Sequence, residues 1–547
     1  MESTRLRFVR TKPSLHLLLI VLIFGLALVG YVAVISSGQL RGYGPSTMVA
    51  ARDLALFVPV IGIFFWLTRS QRYRGEMLLL TAAILLFAIG LVMQFRLFSD
   101  PEYGARGGGR AKAREAKAQT VRLLNVETGY DDAKKTFMFG SPSAVPKTPP
   151  ADKSPVSEYS LKDILTSVNT YIPIAAFLVM AVCFRLFKSD KTLLLFQRHA
   201  LIIGLATLIP FSAVVMISRE GKFLGQTTPW EGVKIFFLLG FAGMLADTYR
   251  HLRRTRWGLP PARYFLPFAV IAAMPVLPFF ALSDFGQMLV FFGVYVMLYI
   301  VAVRRTAQLA YAVALVAILF GVFFGASRVT SGFGVPGRVY FRFYQWVHTW
   351  EAPPPDTWWW KRDLERYLQA KNLTIDPNNP QESRQRNNEA WADKVLQESQ
   401  GLFGINEGGA VGRGLGLGFP ETVPISDSDF IYAAVAEETG LAGGLAILLA
   451  LSVLVFAGTA ISIGAADMFT KLLAAGLTAF AGFQAIVNMG GVLRVLPMTG
   501  ITLPFVSHGG WSLITSFAML GILLALSHRN AVAQPIVEPV PQFVPVR

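Results

Sequence analysis

Apolar residues fall in long unbroken runs, at roughly 14–36, 50–68, 76–97, 167–187, 196–217, 229–248, 263–282, 285–303, 307–325, 429–459, 470–491 and 505–527. A helix needs ~20 mostly apolar residues to cross the bilayer core, and a helix satisfies its own backbone groups in lipid. The pattern therefore predicts an all-α polytopic membrane protein of about twelve transmembrane helices. Two long polar stretches interrupt the runs. The first, 98–166, is rich in Gly, Lys and Pro and predicts a mobile loop with short helical pieces. The second, 326–428, opens on aromatic residues and passes into an Asn- and Gln-rich stretch. There Trp358, Trp359 and Trp360 beside Lys361 and Arg362 read as an interfacial belt or a helix lying on the bilayer. The tail, 530–547, is rich in Pro and Val and reads as disordered.

Composition agrees with a membrane protein. Of 547 residues, 53% are hydrophobic and 15% charged, against about 25% charged in soluble domains. The single cysteine, Cys183, lies in an apolar run, which excludes an intramolecular disulfide. The first run is too long for a signal-peptide core and is followed by further spans, so it reads as a retained helix.

Charge supplies a direction. With the N-terminus in the cytoplasm, the cytoplasmic segments collect Arg5, Arg7, Arg10 and Lys12, then Arg69, Arg72 and Arg74, and later Lys188, Arg253 and Arg529. The short opposite loops hold few Lys or Arg, as the positive-inside rule requires. Both termini are then cytoplasmic, and the two long loops face outward. The net charge of +16 is explained by this bias and by contact with anionic membrane lipids; no nucleic acid is expected as a partner.

Candidate chemistry gathers in the last third, between Gly401 and Gly444. A glycine-dense loop ends at Asp427, Ser428 and Asp429, and the span that follows carries Glu437 and Glu438. Asp429 stands at the mouth of that span, where partial desolvation raises a carboxyl pKa towards the range of a general base. Glu437 and Glu438 lie two to three turns deeper if the helix is regular, and are expected to orient neighbouring helices. The loop VGRGLGLG, with Arg413, lacks the strand–helix setting of a nucleotide-binding loop, so its glycines read as a flexible backbone that lets a bulky substrate approach.

Charges inside spans are costly and suggest function. Glu231 and Lys234, in TPWEGVK, share a helix face and can pair; Lys234 is also a phosphate ligand by chemistry. Asp284 reads as a helix cap. Arg338 and Arg342, in GRVYFRFYQW, either anchor an amphipathic segment or hold a pyrophosphate bidentately. Pro497, Gly500, Pro504, Gly509 and Gly510 forbid a regular helix across 494–510, and Ser507 and His508 bring polar groups there. Irregular backbone at such a place is tolerated where it lines a cavity.

Two of these stretches, SDFIYAAVAEETGLAGG and LPMTGITLPFVSHGGWSL, closely resemble motifs of the SEDS family (shape, elongation, division and sporulation), whose members include RodA, FtsW and SpoVE. TPWEGVK, SDFGQ and GGAVGRGLGLG resemble further family motifs in the same order, so the resemblance runs from about 76 to 527. His508 departs from the family's Tyr, Trp511 from Ser, Asp427 from His, Ala436 from Gly and Thr439 from Leu. The resemblance implies a ten-helix core over 76–529 and makes the two spans within 1–75 additional. It implies a peptidoglycan glycosyltransferase that polymerises lipid II at the outer face of the bacterial cytoplasmic membrane, for elongation or division. Undecaprenyl pyrophosphate leaves, and a class B penicillin-binding protein of the elongation or division complex is the partner.

On that reading Asp429 is the catalytic base. Lys234, Glu231, Arg338, Arg342, Arg413, Ser507, Gly509 and Gly510 bind substrate, and Asp284, Glu437, Glu438 and Pro504 support. No cofactor is required by the sequence, although a divalent metal such as Mg or Mn would suit the leaving group. Two alternatives stay open: a lipid II flippase or other polytopic lipid transporter, and a non-catalytic scaffold that activates a transpeptidase.

Overall fold

The computed structural model describes residues 12–41, 44–100, 103, 167–206, 230–253, 263–264, 284–303, 334–373 and 379–533. Among these, nine helical segments are long and apolar enough to cross a membrane. They are α1 (Pro13–Leu40), the compound span Thr47–Ser70, α4 (Leu78–Ser99), α5 (Val168–Lys188), α7 (Trp230–Leu252), α8 (Phe285–Val303), α12 (Ile431–Gly464), α13 (Met468–Val492) and α14 (Gly510–Ala533). The compound span consists of α2 (Thr47–Ala55), α3 (Phe57–Phe65) and a π-helical turn, Trp66–Ser70. Of the other expected spans, 196–217 begins at the end of α6 (Asp190–Arg198) and leaves the described residues after 206, most of 263–282 lies outside them, and all of 307–325 does.

Helix termini sort to two ends of the bundle. At one end, Arg41 after α1 reaches Glu421, and Arg96 near the end of α4 reaches Glu438 in α12. At the other, Lys188 meets Gln71, Arg74 meets His528, and Asn530 meets the Ile461 carbonyl. Buried α4, α13 and α14 form the centre, and α1 to α3 pack on the α4 and α5 side. Local signals fix several starts: Ser46 caps α2, Ser167 caps α5 and Asp467 caps α13, each accepting a backbone N–H of the first turn, as N-caps do.

Within the polar stretch 326–428 the described residues are largely helical. The stretch contains α9 (Gly334–Val347), α10 (Lys361–Ala370) and α11 (Pro380–Gly408), the last started by Asn379 and Pro380. Hydrophobic residues in this stretch are spaced on single faces, and they build a second small core around Trp360, Leu364, Trp391 and Val395. The expectation of a tryptophan belt fails here. Trp360 is fully buried and donates its indole N–H to Asn387, and only Trp358 of the three is substantially exposed.

Candidate active site

Asp429 sits in a turn, Ser426 to Phe430, immediately before α12. Three contacts fix the turn. Asn488 of α13 donates to the carbonyls of both Asp429 and Ile501. Ser507 Oγ donates to the Ser428 carbonyl and accepts the Leu503 N–H. His508 N–H donates to the Asp427 carbonyl at 2.8 Å. The breaker-rich segment 493–509 is thus strapped along the Asp429 turn. Two of its neighbours take the left-handed region without being glycine, Ile425 at φ 57° and Phe505 at φ 65°. Such backbone is costly for a β-branched residue and concentrates at functional sites.

The Asp429 carboxyl is held from α11. That helix runs alongside the start of α12 in the same direction, with Gly401 against Phe430, Gly404 against Glu437 and Gly408 against Ala436; a Cβ at Gly408 would lie 2.1 Å from the Ala436 carbonyl oxygen. The close approach places Gln397 Nε2 3.4 Å from Asp429 Oδ1 and sets Glu398 nearby. Burial pushes the Asp429 carboxyl up to about 7; Glu398 and Asp427 add to the rise, while backbone hydrogen bonding and Arg342 oppose it. That places it close to neutral pH, where a general base is most effective.

Other sequence candidates converge on the same end. A Cβ on Gly500 would lie 3.8 Å from Asp429 Oδ2, and flanking Thr499 and Ile501 press on Gly286 at the start of α8. Asp284 caps α8, accepting the Gln287 N–H at 3.1 Å. Its carboxyl is pushed up to about 6 by burial, against the opposing Lys234 and Arg342 charges. Gln287 in turn donates to Glu231, which is paired with Lys234 at 2.8 Å, both side chains buried. Arg342 lies between the two halves: it pairs with Glu398 at 3.7 Å and acts on both Asp284 and Asp429. Buried Gln287 Oε1, Asn488 Oδ1 and Thr499 Oγ1 have no hydrogen-bond partner among the described residues, and such groups suit water or a hydroxylated ligand. The Arg338 side chain lies outside what the structure describes.

Glu437, Glu438 and Arg413 belong elsewhere. Helix α12 breaks at Gly440, φ 66° and ψ −161°, which frees the carbonyls of the preceding turn. Glycine-loop N–H groups take them: Arg413 N donates to Glu437 O and Gly414 N to Glu438 O, while Leu441 N turns to Gly409 O. The Glu438 side chain accepts from Gly416 N and from Arg96 Nε at 2.8 Å, and Glu437 accepts from Phe419 N. Arg96, fully buried, also pairs with Asp100 and Glu421, and Arg41 closes the set on Glu421 and the Gly418 carbonyl. A flexible glycine backbone was the expectation, and the structure corrects it. At Gly412, φ 86°, a Cβ would meet Glu438 O at 2.3 Å, so glycine is there for tight packing. The acids orient this loop and α4, and Arg413 pairs with Glu407, about two helical turns from Asp429.

Ser507, Gly509 and Gly510 line a cavity of about 200 Å³ on the far side of the strap, bounded by α2, α4, α5 and α14. Pro504 stands in the strap itself, between Leu503 and Phe505. Sequence reading missed Gln397, Asn488, Arg96 and Glu421. Arg96 carries the signal that singled out Lys234, a charge within an apolar run. Gln397 and Asn488 carried none, since a lone amide in a helix has no spacing to announce it.

Fold and site together define a polytopic helical membrane protein with a buried, near-neutral carboxyl at one end of its bundle. Residues 379–532 match the family model described as "Cell cycle protein", that of FtsW, RodA and SpoVE. This segment, less than a third of the chain, is similar to the SEDS family. The chain is 45% identical over 129 residues to the peptidoglycan glycosyltransferase RodA of Mycobacterium tuberculosis, covering 24% of this chain and 28% of that protein. It is 34% identical over 142 residues to the stage V sporulation protein E of Bacillus subtilis, covering 25% and 39%. The matched part thus spans well under half the length of these relatives. The rod shape determining protein RodA of Thermus thermophilus aligns over 77% of this chain and 97% of its own, at 20% identity and a TM-score of 0.38, a loose likeness.

Proposed function

We propose that the chain is a peptidoglycan glycosyltransferase that polymerises lipid II, with Asp429 as general base. The observation that carries this reading is the Asp429 carboxyl, raised to about 7 and framed by Gln397, Glu398 and Arg342. The segment similarity to proteins named peptidoglycan glycosyltransferase supports it. In the proposed step Asp429 takes the proton of the acceptor sugar's 4-hydroxyl. That oxygen bonds to C1 of the donor sugar as the C1–oxygen bond to the pyrophosphate breaks. Undecaprenyl pyrophosphate leaves with the electron pair. Arg342, which acts on the Asp429 carboxyl, and Lys234, which acts on Asp284, would offset the leaving charge; the Glu231 partner holds Lys234 in place. Among the described residues no three His, Cys, Asp or Glu side chains are grouped to hold a metal. A divalent cation would therefore take most ligands from substrate phosphate and water, as Mg²⁺ does beside one or two carboxylates.

The charge distribution supports a reading with this end outward and both termini in the cytoplasm, and a class B penicillin-binding protein is the partner the family resemblance implies. The test is the purified full chain in liposomes, with that partner, given lipid II. Glycan polymer is the expected product. Movement of lipid II across the bilayer without polymer would favour the transporter reading, and neither activity, with a stimulated transpeptidase, the scaffold.

A further inference from the structure

The cavity behind the strap has a graded lining. Deep in it, Phe87 and Leu91 of α4, Ile172 of α5 and Leu513 of α14 are apolar. Towards the helix ends the lining turns polar, with Gln94, Ser99, Asn169, Arg52 and Asp53. Arg52 and Asp53 pair at 2.7 Å, so together they add no net charge, and burial lowers the His508 pKa. Phe95, Phe98 and Phe505 supply aromatic faces beside the amides. Asn169 and Ser99 side chains make no hydrogen bond among the described residues.

From this lining we infer a binding site for the uncharged, hydroxyl-rich sugar of a membrane glycolipid, with the start of its hydrocarbon chain directed inward. A phosphate head would meet a guanidinium already neutralised by Asp53; Gln94 is already held by the Val506 carbonyl and the His508 ring, but a simple hydrocarbon would leave the Asn169 amide unpaired, which is costly. Hydroxyls match donors and acceptors that carry no charge, and a sugar ring's apolar face suits the phenylalanines. Part of the wall, Ser46 to Asp53, comes from the N-terminal spans that the family resemblance makes additional. Ser507 and His508 bond the Asp429 turn on one side and line the cavity on the other, so an occupant touches the strap that positions Asp429.

The test uses full-length protein in phosphatidylcholine nanodiscs and native mass spectrometry, which needs no turnover and so stands apart from the polymerase reading. Two probes are compared: monoglucosyl diacylglycerol and phosphatidylglycerol. Retention of the glucolipid at least tenfold above phosphatidylglycerol supports the site. Leu91→Trp, which fills the deep end, and Asn169→Leu, which removes an available amide, are each expected to lower that retention at least fivefold. Equal or stronger retention of phosphatidylglycerol would overturn the proposal. So would unchanged sugar-lipid retention in both variants with folding intact by thermal unfolding.

Discussion

Asp429 is ordinary in its chemistry and unusual in its surroundings. Desolvation raises its pKa to about 7, and Glu398 and Asp427 add repulsion. A base must be ionised to act, so activity is expected to fall as pH drops through about 7 and to level off above it. Gln397 donates to this carboxyl, and a donor to the ionised form lowers a pKa. Gln397→Leu is therefore expected to move the midpoint of the pH–rate profile upward while leaving the alkaline plateau in place; an unmoved midpoint would remove Gln397 from the site. The identity of the acid was legible in the sequence, from its place at the mouth of a span and its motif. Its amide partners were not, because Gln397 reaches it only through the glycine-lined contact of α11 with α12.

At the scale of elements, the break at Gly440 and the buried Arg96 cluster turn a glycine-rich loop into a rigid support. Glu438 accepts from both Arg96 and the loop, so the network joins α4, α12 and residues 409–422. Removing one partner of a buried ion pair leaves an uncompensated charge and costs about 3–5 kcal/mol. Arg96→Met is expected to lower stability by about that much, read as a lower unfolding temperature in detergent. Gly412→Ala should be destabilising as well, by about 1–3 kcal/mol, because its φ of 86° and the Glu438 carbonyl both oppose a side chain. Hydrophobic runs made most of the described spans legible. They could not disclose α11, whose apolar residues are sparse, nor that α9 to α11 share a core built where Trp360 and Trp391 pack together. Nor could they disclose that the glycines are fixed by backbone contacts made far away in sequence.

On the scale of the whole molecule, the bundle brings two motif-bearing segments to one end and straps them together through Asn488, Ser507 and His508. The basic helix ends at the other pole, among them Arg74, Lys188 and Arg529, follow the grouping expected from charge. If that pole is cytoplasmic, a membrane-impermeant thiol reagent should label a cysteine placed at the exposed Val411 from outside intact cells and leave one placed at Ser70 unlabelled; the reverse pattern would invert the topology. The most direct measurement of the central claim is lipid II polymerisation by the purified chain with its partner, comparing wild type with Asp429→Asn across pH 5 to 9. Losing a positioned base costs about 10²–10⁴-fold. The account predicts a wild-type profile that rises to a plateau near neutral pH and an Asp429→Asn variant at least 100-fold slower, flat with pH and normally folded. A variant that keeps wild-type polymerisation, or a wild-type rate that does not change through pH 7, would contradict the role given to Asp429.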